Sequence, residues 1–266
     1  MKWFKFLAVL AVAVVAVSVS PNAAEADDPI LNGGGRDPNH VYSAQELKAS
    51  AAKKAMAKRY FHEQRAKLSP DETEVTNILF VPETDAFKEK NDDAHRNYCG
   101  PAATKIILYT WVQNSIPLPT MNEIGAAELV DQEIPGVKNW RIRDYLNNWL
   151  AEHVNPYNWD YVESINSTRG DLKSFIRWDI DAQRGLESAL WTGGMPGWPA
   201  GKDVRHILAI RGYATSAKRF TVHYIETGQK AQGYTGPNNT FYQQLPMADF
   251  YNAVNAHSGS NNSQVW

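Results

Sequence analysis

Apolar residues recur at helical spacing in several segments of the first two thirds of the chain, whereas the final third contains short apolar runs bounded by turn residues. Spacing of three or four positions is typical of amphipathic helices, and short runs between turn signals are typical of strands. Helices that precede an antiparallel sheet indicate the α+β class rather than alternating βαβ units. The predicted helices are 44–68, 101–113, 120–131, 139–153 and 169–183, and the predicted strands are 76–82, 206–213 and 219–228.

The longest apolar run lies near the N-terminus and predicts an export signal. Two lysines precede an uninterrupted apolar stretch from Phe6 to Val17, and Ala24-Glu25-Ala26 follows as a small-x-small cleavage pattern. The run is shorter than the ~20 residues of a membrane-spanning helix. We therefore expect residues 1–26 to be a bacterial-type signal peptide, removed after Ala26, which leaves a secreted protein without stable membrane association. The alternative is an uncleaved N-terminal anchor.

A separate N-terminal segment, residues 27–75, is expected between this signal and the main domain, residues 76–266. It begins with a linker rich in Gly, Pro and Asp. Ser43 and Glu46 then match a capping box, which predicts a helix start, and Ser69-Pro70 predicts its end. The segment is either a prosegment or arm lying over the domain, or a plain peripheral helix.

Composition and charge narrow the classes of function. The 266 residues include 27 basic and 29 acidic side chains, and without Lys2, Lys5 and Glu25 of the signal 25 basic and 28 acidic side chains remain. This balance argues against a nucleic-acid partner, because such partners are held largely by positive charge. The chain has only one cysteine, so no disulfide can form within it, and we expect an ordinary hydrophobic core to stabilise the fold.

The single cysteine lies in the stretch NYCGPAATKIIL, residues 97–108, directly before a predicted helix. Pro101 suits the first helical turn, where a missing N–H costs nothing, and Gly100 is expected to let the backbone pass close to a substrate. Free amides and the dipole at a helix start favour negative charge, and the pKa of a thiol can fall there from ~8.5 to ~3.5–7.5. Cys99 is therefore a candidate nucleophile. Taken alone, its position also fits a small buried hydrophobe.

His206 is the candidate base, because it opens the first of the two C-terminal predicted strands, which are expected to pair as a hairpin. If Tyr213 pairs with Arg219, His206 lies directly across from Glu226, with Cβ atoms ~4.5–5.5 Å apart. His223, three positions before Glu226, would then face the opposite side. A slip of one residue would separate His206 and Glu226 onto different faces.

Cys99, His206 and Glu226 together match the pattern of nucleophile, base and orienting acid. Glu226 would hold the imidazole of His206 in its productive tautomer. Without the cysteine, the other two residues would be interpreted as a satisfied strand-end histidine and a solvated strand-end acid.

The run YCGPAAT, followed downstream by RHILAIRGY, resembles the bacteriocin-processing-like branch of the papain-fold cysteine peptidases, family 39, especially its secreted stand-alone members. That branch pairs a C-G-P-A helix start with an H-x-hydrophobic-G-Y strand and a following strand that bears an acid. The resemblance covers about residues 80–245 and rests on two short motifs in the right order and spacing. It implies a papain-like α+β fold with an N-terminal helical half and a C-terminal antiparallel β-sheet, with Cys99 as nucleophile and His206 as general base.

Two positions depart from the pattern of this family. The third member of its triad is usually Asp, often followed by Pro, whereas Glu226-Thr227 stands here. The family also usually carries Gln six residues before the cysteine to stabilise the oxyanion, and this position is Asp93. A carboxylate would repel the oxyanion, and one lost donor costs about 10²–10³ in rate. Asn97, or Asn91 in a shifted alignment, is expected to supply an amide, together with the backbone N–H of Cys99.

No cofactor and no metal is expected. His95 and Cys99 lie four residues apart, but two ligands with one thiol make a poor zinc set, and the neighbouring acids lack the spacing of a calcium loop. The loop at 194–205 is too rich in Pro to cradle a phosphate. It is expected either to form a mobile wall of the cleft, lined by Trp191 or Trp198, or to be an ordinary surface loop.

The sequence therefore predicts a secreted thiol hydrolase, a cysteine peptidase that acts on a peptide or protein substrate through a thioester acyl-enzyme. One alternative is acyl or peptidyl transfer on the same triad, with an amine or thiol as acceptor in place of water. Another is a non-catalytic secreted binding protein that kept the fold and lost its oxyanion donor.

Overall fold

The structure is a computed structural model, and it describes eight segments of the chain. The predicted signal peptide and the first half of the linker after it lie outside them, as does the predicted helix stop at Ser69-Pro70. The described residues are 35–67, 74–130, 136–154, 160–199, 204–230, 233–234, 240–256 and 263–266.

Six α-helices and seven strands make up the described fold, with short 3₁₀ turns between some of them. The helices are α1 (Ala44–Ala66), α2 (Cys99–Val112), α3 (Met121–Ala127), α4 (Asn139–His153), α5 (Arg169–Asp181) and α6 (Met247–Val254). The strands are β1 (Val75–Ile78), β2 (Glu163–Ile165), β3 (Leu186–Trp191), β4 (Arg205–Thr215), β5 (Phe220–Ile225), β6 (Tyr242–Pro246) and β7 (Ser263–Val265).

All seven strands belong to one sheet, and every pairing between them is antiparallel. The strand order is β2-β7-β3-β4-β5-β6, and β1 also pairs with β4. The predicted α+β class is confirmed at this level. The predicted division into a helical half and a sheet half holds only in part, because β1 comes from the N-terminal half and α6 from the C-terminal half.

Strand β4 forms the centre of the sheet, and its alternating apolar residues are buried on both faces. Ile207 and Ala209 belong to one core cluster, which includes much of α2. Leu208 and Ile210 belong to a second cluster, in which Phe175 of α5 is fully buried. The sheet therefore separates two cores, and the helix that starts at Cys99 packs along β4.

The predicted capping box of α1 is confirmed. The backbone N–H of Glu46 donates to Ser43 Oγ (3.2 Å), and the backbone N–H of Ser43 donates to Glu46 Oε2 (2.6 Å). The helix packs against α5 and buries Ala57 and Phe61. Whether residues 27–75 are a prosegment stays a prediction.

The β4–β5 hairpin departs from the predicted register. Tyr213 pairs with Val222, not with Arg219 as predicted. The pairing then shifts between Ile210 and Gly212, so Arg211 is the extra residue of a β-bulge.

This bulge determines which face of the hairpin carries the candidate base. Before the bulge Ala209 pairs with Ile225, and continuing this register puts Leu208 across from Glu226, with His206 two positions further along the same face. Without the extra residue, Glu226 would lie across from Ala209, whose side chain points to the opposite face. His206 and Glu226 therefore share a face as predicted, but through a bulge that was not predicted.

Candidate active site

Cys99 is the first residue of α2, so its predicted place at a helix N-terminus is confirmed. Tyr98 is the N-cap, and its side chain makes no capping hydrogen bond. The first amides of α2 are therefore not used by a capping side chain, and they favour a negative charge nearby. Cys99 is a free thiol with 7% of its surface exposed.

Gly100 has a packing role that was not predicted. A Cβ atom added to Gly100 would clash with Cγ1 of Val137, a residue that is fully buried. The absence of a side chain at Gly100 thus brings the start of α2 against the segment before α4. Whether Gly100 also lets the backbone pass close to a substrate stays a prediction.

His206 and Glu226 form a buried ion pair at the start of β4. His206 Nε2 donates to Glu226 Oε1 over 2.8 Å, and the two residues are 3% and 2% exposed. The imidazole has one other ring nitrogen, Nδ1, and the side chain of Cys99 is among the groups that raise the pKa of His206, which places Cys99 beside the ring. The three residues predicted from the sequence are thus brought together in one row.

Glu226 accepts two further hydrogen bonds that fix its carboxylate. The backbone N–H of Gly228 donates to Oε1 (2.9 Å), and Trp198 Nε1 donates to Oε2 (3.0 Å). Burial raises the pKa of Glu226, but the charge of His206 and these hydrogen bonds outweigh burial and lower it below its usual range. Glu226 is therefore a fixed carboxylate at neutral pH.

The pKa of His206 is raised well above its ordinary value of 6.5. Burial lowers it, but the charge of Glu226, the hydrogen bonds with Cys99 and Glu226, and the charge of Cys99 together raise it more. The site therefore favours a protonated imidazole between two acids, the carboxyl and the thiol. This is the charge state that an imidazolium–thiolate pair requires.

Trp198 covers the ion pair from the loop that follows β3. Its ring centre lies 5.0 Å from that of His206, and it also packs against Tyr234 at 5.6 Å. Gly197 before it has φ +84°, a left-handed conformation, and a side chain there would collide with the Tyr234 ring. Whether this loop forms a mobile wall of a substrate cleft stays a prediction. Part of the loop, residues 200–203, lies outside the described residues.

The two positions considered for the oxyanion lie before Cys99. Asp93 is exposed and accepts a hydrogen bond from Arg96 (2.7 Å), so its carboxylate is engaged at the surface. Asn97 is half-buried on the turn that enters α2, and Asn91 is exposed. The oxyanion role of Asn97 stays a prediction.

Glu89 is a residue of this neighbourhood that the sequence reasoning missed. It is 2% exposed, and the charges of both His206 and Glu226 act on it. The backbone N–H of Glu89 donates to the carbonyl oxygen of Thr227 (3.0 Å). Its position results from the loop between β1 and α2 folding over the end of β5, and a single acid in a charged loop gives no local signal of this.

His95, considered together with Cys99 as a pair of metal ligands, has both ring nitrogens bonded to other side chains. His95 Nδ1 bonds with Asp92 (2.6 Å), and Nε2 bonds with the side chain of Asn122 (3.0 Å). Within the described segments, no three His, Cys, Asp or Glu side chains gather in a way that could hold a metal ion. His223 pairs with Gly212 and is half-buried.

A scan against protein-family models and a search of curated proteins both find no match. In the described part of the chain, no helix combines the length and apolar character that crossing a bilayer requires.

Proposed function

We propose that the chain is a secreted, papain-like cysteine peptidase of the bacteriocin-processing-like type, which hydrolyses a peptide or amide bond of a peptide or protein. The observation that carries this proposal is the buried row of Cys99, His206 and Glu226, with the thiol on the first residue of a helix. The two sequence motifs that resemble this family supply Cys99 and His206 of the same row.

Cys99 acts as the nucleophile, and His206 acts first as acid and then as base. The sulfur of Cys99 attacks the carbonyl carbon of the substrate, and a C–S bond forms while negative charge moves to the carbonyl oxygen. His206 then gives its proton to the departing amine, which leaves a thioester on Cys99. His206 next takes a proton from water, and the resulting hydroxide attacks the thioester, releasing the acid and the thiolate.

Glu226 acts on the reaction through His206. Its carboxylate accepts from Nε2, which leaves Nδ1 to exchange the proton with sulfur and with the leaving group. Trp198 holds the carboxylate and covers the imidazole. Exclusion of water from this pair strengthens its electrostatic attraction.

The test of the proposal is the pH profile of Cys99 alkylation by iodoacetamide. Because Cys99 is the only cysteine, the label reports on one site. The wild type is expected to react quickly well below pH ~8.5, the ordinary thiol pKa, and His206→Ala is expected to lose this behaviour. His223→Ala is the matched control, and it should react like the wild type.

Identical profiles for the wild type and His206→Ala would end the proposal. Activity is then followed by mass spectrometry of a peptide library incubated with the wild type and with Cys99→Ala. Cleavage that depends on Cys99 supports a peptidase. A wild-type protein whose Cys99 is alkylated quickly but which cleaves no peptide would support the reactive thiol and contradict the peptidase function.

A further inference from the structure

Glu89 makes two hydrogen bonds with Thr227, the residue that follows Glu226 in the catalytic row of Cys99, His206 and Glu226. Its backbone N–H donates to the Thr227 carbonyl oxygen, and its Oε1 accepts from Thr227 Oγ1, both over 3.0 Å. Thr227 follows Glu226 directly in the chain. A buried carboxyl group therefore lies next to the His206–Glu226 pair and is held there by two hydrogen bonds.

The second carboxyl oxygen of Glu89 is buried without a hydrogen-bond partner among the described residues. Most buried polar atoms have a partner, and an ionised carboxylate with an empty oxygen is costly. Burial raises the pKa of Glu89 to about 7; the charge of His206 and the bond from Thr227 lower it, and the charge of Glu226 raises it. A neutral carboxyl group with a free O–H donor accounts for this arrangement.

We propose that neutral Glu89 belongs to the reaction centre and that substrate binding uncovers its Oε2, which then donates a hydrogen bond to the substrate oxygen that becomes negative when Cys99 attacks. This inference rests on the proposed hydrolase function. A buried carboxylic acid that is kept neutral can act as such a donor. Glu89 thus takes the role that Asp93, engaged at the surface by Arg96, does not fill.

The donor works only while Glu89 keeps its proton. His206 on β4 and Glu226 after β5 are the charged groups that act on it, and on its own segment Lys88 is paired with Glu83 (2.7 Å). As the pH rises above about 7, Glu89 ionises, the donor is lost, and a negative charge then faces the developing oxyanion.

The kinetic test compares Glu89→Gln, which keeps a donor without a titrating group, with Glu89→Ala, which has neither. Glu89→Ala is expected to lower kcat by about 10²–10³ with KM changed much less. Glu89→Gln is expected to stay near the wild type at pH 6 and to lose its decline above about pH 7. Asp93→Asn is the control and should match the wild type. Wild-type kcat in Glu89→Ala, or an unchanged alkaline decline in Glu89→Gln, overturns the inference.

A second readout does not depend on turnover. The infrared carbonyl stretch of a neutral carboxylic acid should be present in the wild type at pH 6, and its intensity should fall in Glu89→Gln. An equal band in both proteins overturns the neutral state and the inference. If the wild-type protein cleaves no substrate, both the proposed function and the donor role of Glu89 are overturned. This result is distinguishable from failure of the donor role alone, because the wild type and all variants are then equally inactive.

An independent feature is a basic surface at the far end of β4 from His206. Two adjoining cavities of about 370 and 140 Å³ lie between α1, α5 and the β4–β5 turn. His206 and Thr215 are nine residues apart along one strand, or roughly 30 Å. We define the basic surface by the cationic residues Arg65, Arg169, Lys173, Lys218 and Arg219, which line these cavities.

The described acids that line these cavities do not neutralise the basic surface. Among the described residues that line the two cavities, Asp171 is the only acid. It is already engaged by Lys54 (2.9 Å) and Lys58 (2.7 Å). Burial lowers the pKa of Lys173, and the charges of Arg169 and Arg65 lower it further. The cations therefore repel each other, and an anion bound between them would relieve this repulsion.

We infer that the basic surface binds a polymer of phosphate groups. Guanidinium groups match phosphate oxygens with paired hydrogen bonds. Two adjoining cavities with exposed cations around both fit consecutive anionic groups better than a single ion. The whole chain has a net charge of −2, so this attraction comes from the local surface and not from the overall charge.

The test measures binding of inorganic polyphosphate and, separately, of a polyol phosphate polymer, at about 50 and about 300 mM salt. Arg65→Glu/Lys218→Glu is expected to lower affinity at least about tenfold and to reduce the salt dependence. The control Lys48→Glu/Arg59→Glu carries the same change in charge at exposed sites of α1 outside the cavities, and it should change affinity little. The polymer that binds more tightly identifies the source of the phosphate groups.

Three results would overturn the inference. These are no binding of either polymer at the lower salt concentration, an equal loss in both double variants, and tighter binding of a carboxylated polysaccharide than of both phosphate polymers. Cleavage by Cys99 is measured alongside with a small peptide, and it should be unchanged in both double variants because neither touches the catalytic row.

Discussion

His206 interacts with two of the residues proposed to act with it. Its Nε2 bonds with the carboxylate of Glu226, and the side chain of Cys99 also raises its pKa. Since the pKa of His206 is raised, the charged pair stabilises the folded state fully below the ordinary value of 6.5. This contribution is lost as the pH rises through the folded-state pKa.

Glu226→Gln should lower the pKa of His206, because the charge of Glu226 is the largest influence that raises it. The pKa is measured by an NMR titration of the imidazole. We also expect kcat to fall by on the order of 10²–10⁴, since the productive tautomer is no longer fixed. Glu226→Asp keeps the charge and should have a smaller effect on the titration. An unchanged titration in Glu226→Gln would contradict the ion pair.

At the scale of single elements, the pairing register of β4 is the feature that the sequence predicts least well. Helices α2, α4 and α5 could be predicted from their apolar spacing, and each was found within two residues of its expected limits, as for α4 at Asn139–His153. The register of β4 and β5 could not be predicted, because Arg211, which the pairing with β5 skips, has no signature in a run of alternating residues. Hydrogen bonding and burial across the whole hairpin decide it.

The candidate site likewise combines residues that the sequence reveals with one that only the folded structure reveals. Cys99 and His206 could be found because each opens an apolar element, and Glu226 because it ends the next strand. Glu89 could not, because its burial depends on how the loop before α2 folds against Thr227.

Gly212→Ala should destabilise the fold at the bulge. An added Cβ atom would lie 2.6 Å from the carbonyl oxygen of Asn77 and 2.8 Å from the Cα of Ile78, both on the backbone of β1. Overpacking of this kind costs about 1–3 kcal/mol. Urea unfolding measures the loss. Gly194→Ala is the matched control, since a Cβ atom there meets nothing within 4 Å; equal stability of both variants would contradict close packing of β1 on the bulge.

At the scale of the whole molecule, several carboxyl groups are buried away from solvent. Burial raises the pKa of Glu89 and of Asp179 to about 7 and that of Glu128 to about 8. It also raises the pKa of Glu163, and that of Glu187 well above its usual range, where the charge of Glu163 adds to the effect. The folded chain therefore keeps protons that the unfolded chain releases near its ordinary carboxyl pKa values.

Stability should consequently fall as the pH rises from about 5 to about 8, because the folded state binds more protons across this range. We expect the melting temperature at pH 8 to be lower than at pH 5 by on the order of 10 °C. Circular dichroism melts at fixed salt measure it. Glu128→Gln removes one of the titrating groups and should flatten the curve. A melting temperature that rises between these pH values would contradict the neutral state of these acids.

The lone thiol has a practical consequence for handling the protein. Cys99 is free, and with no second cysteine in the chain refolding needs no oxidant, shuffling enzyme or redox buffer. Dithiothreitol unfolds many extracellular proteins that depend on disulfide bonds. Here it can be present throughout purification, where it should protect the sulfur of Cys99 from oxidation without destabilising the fold.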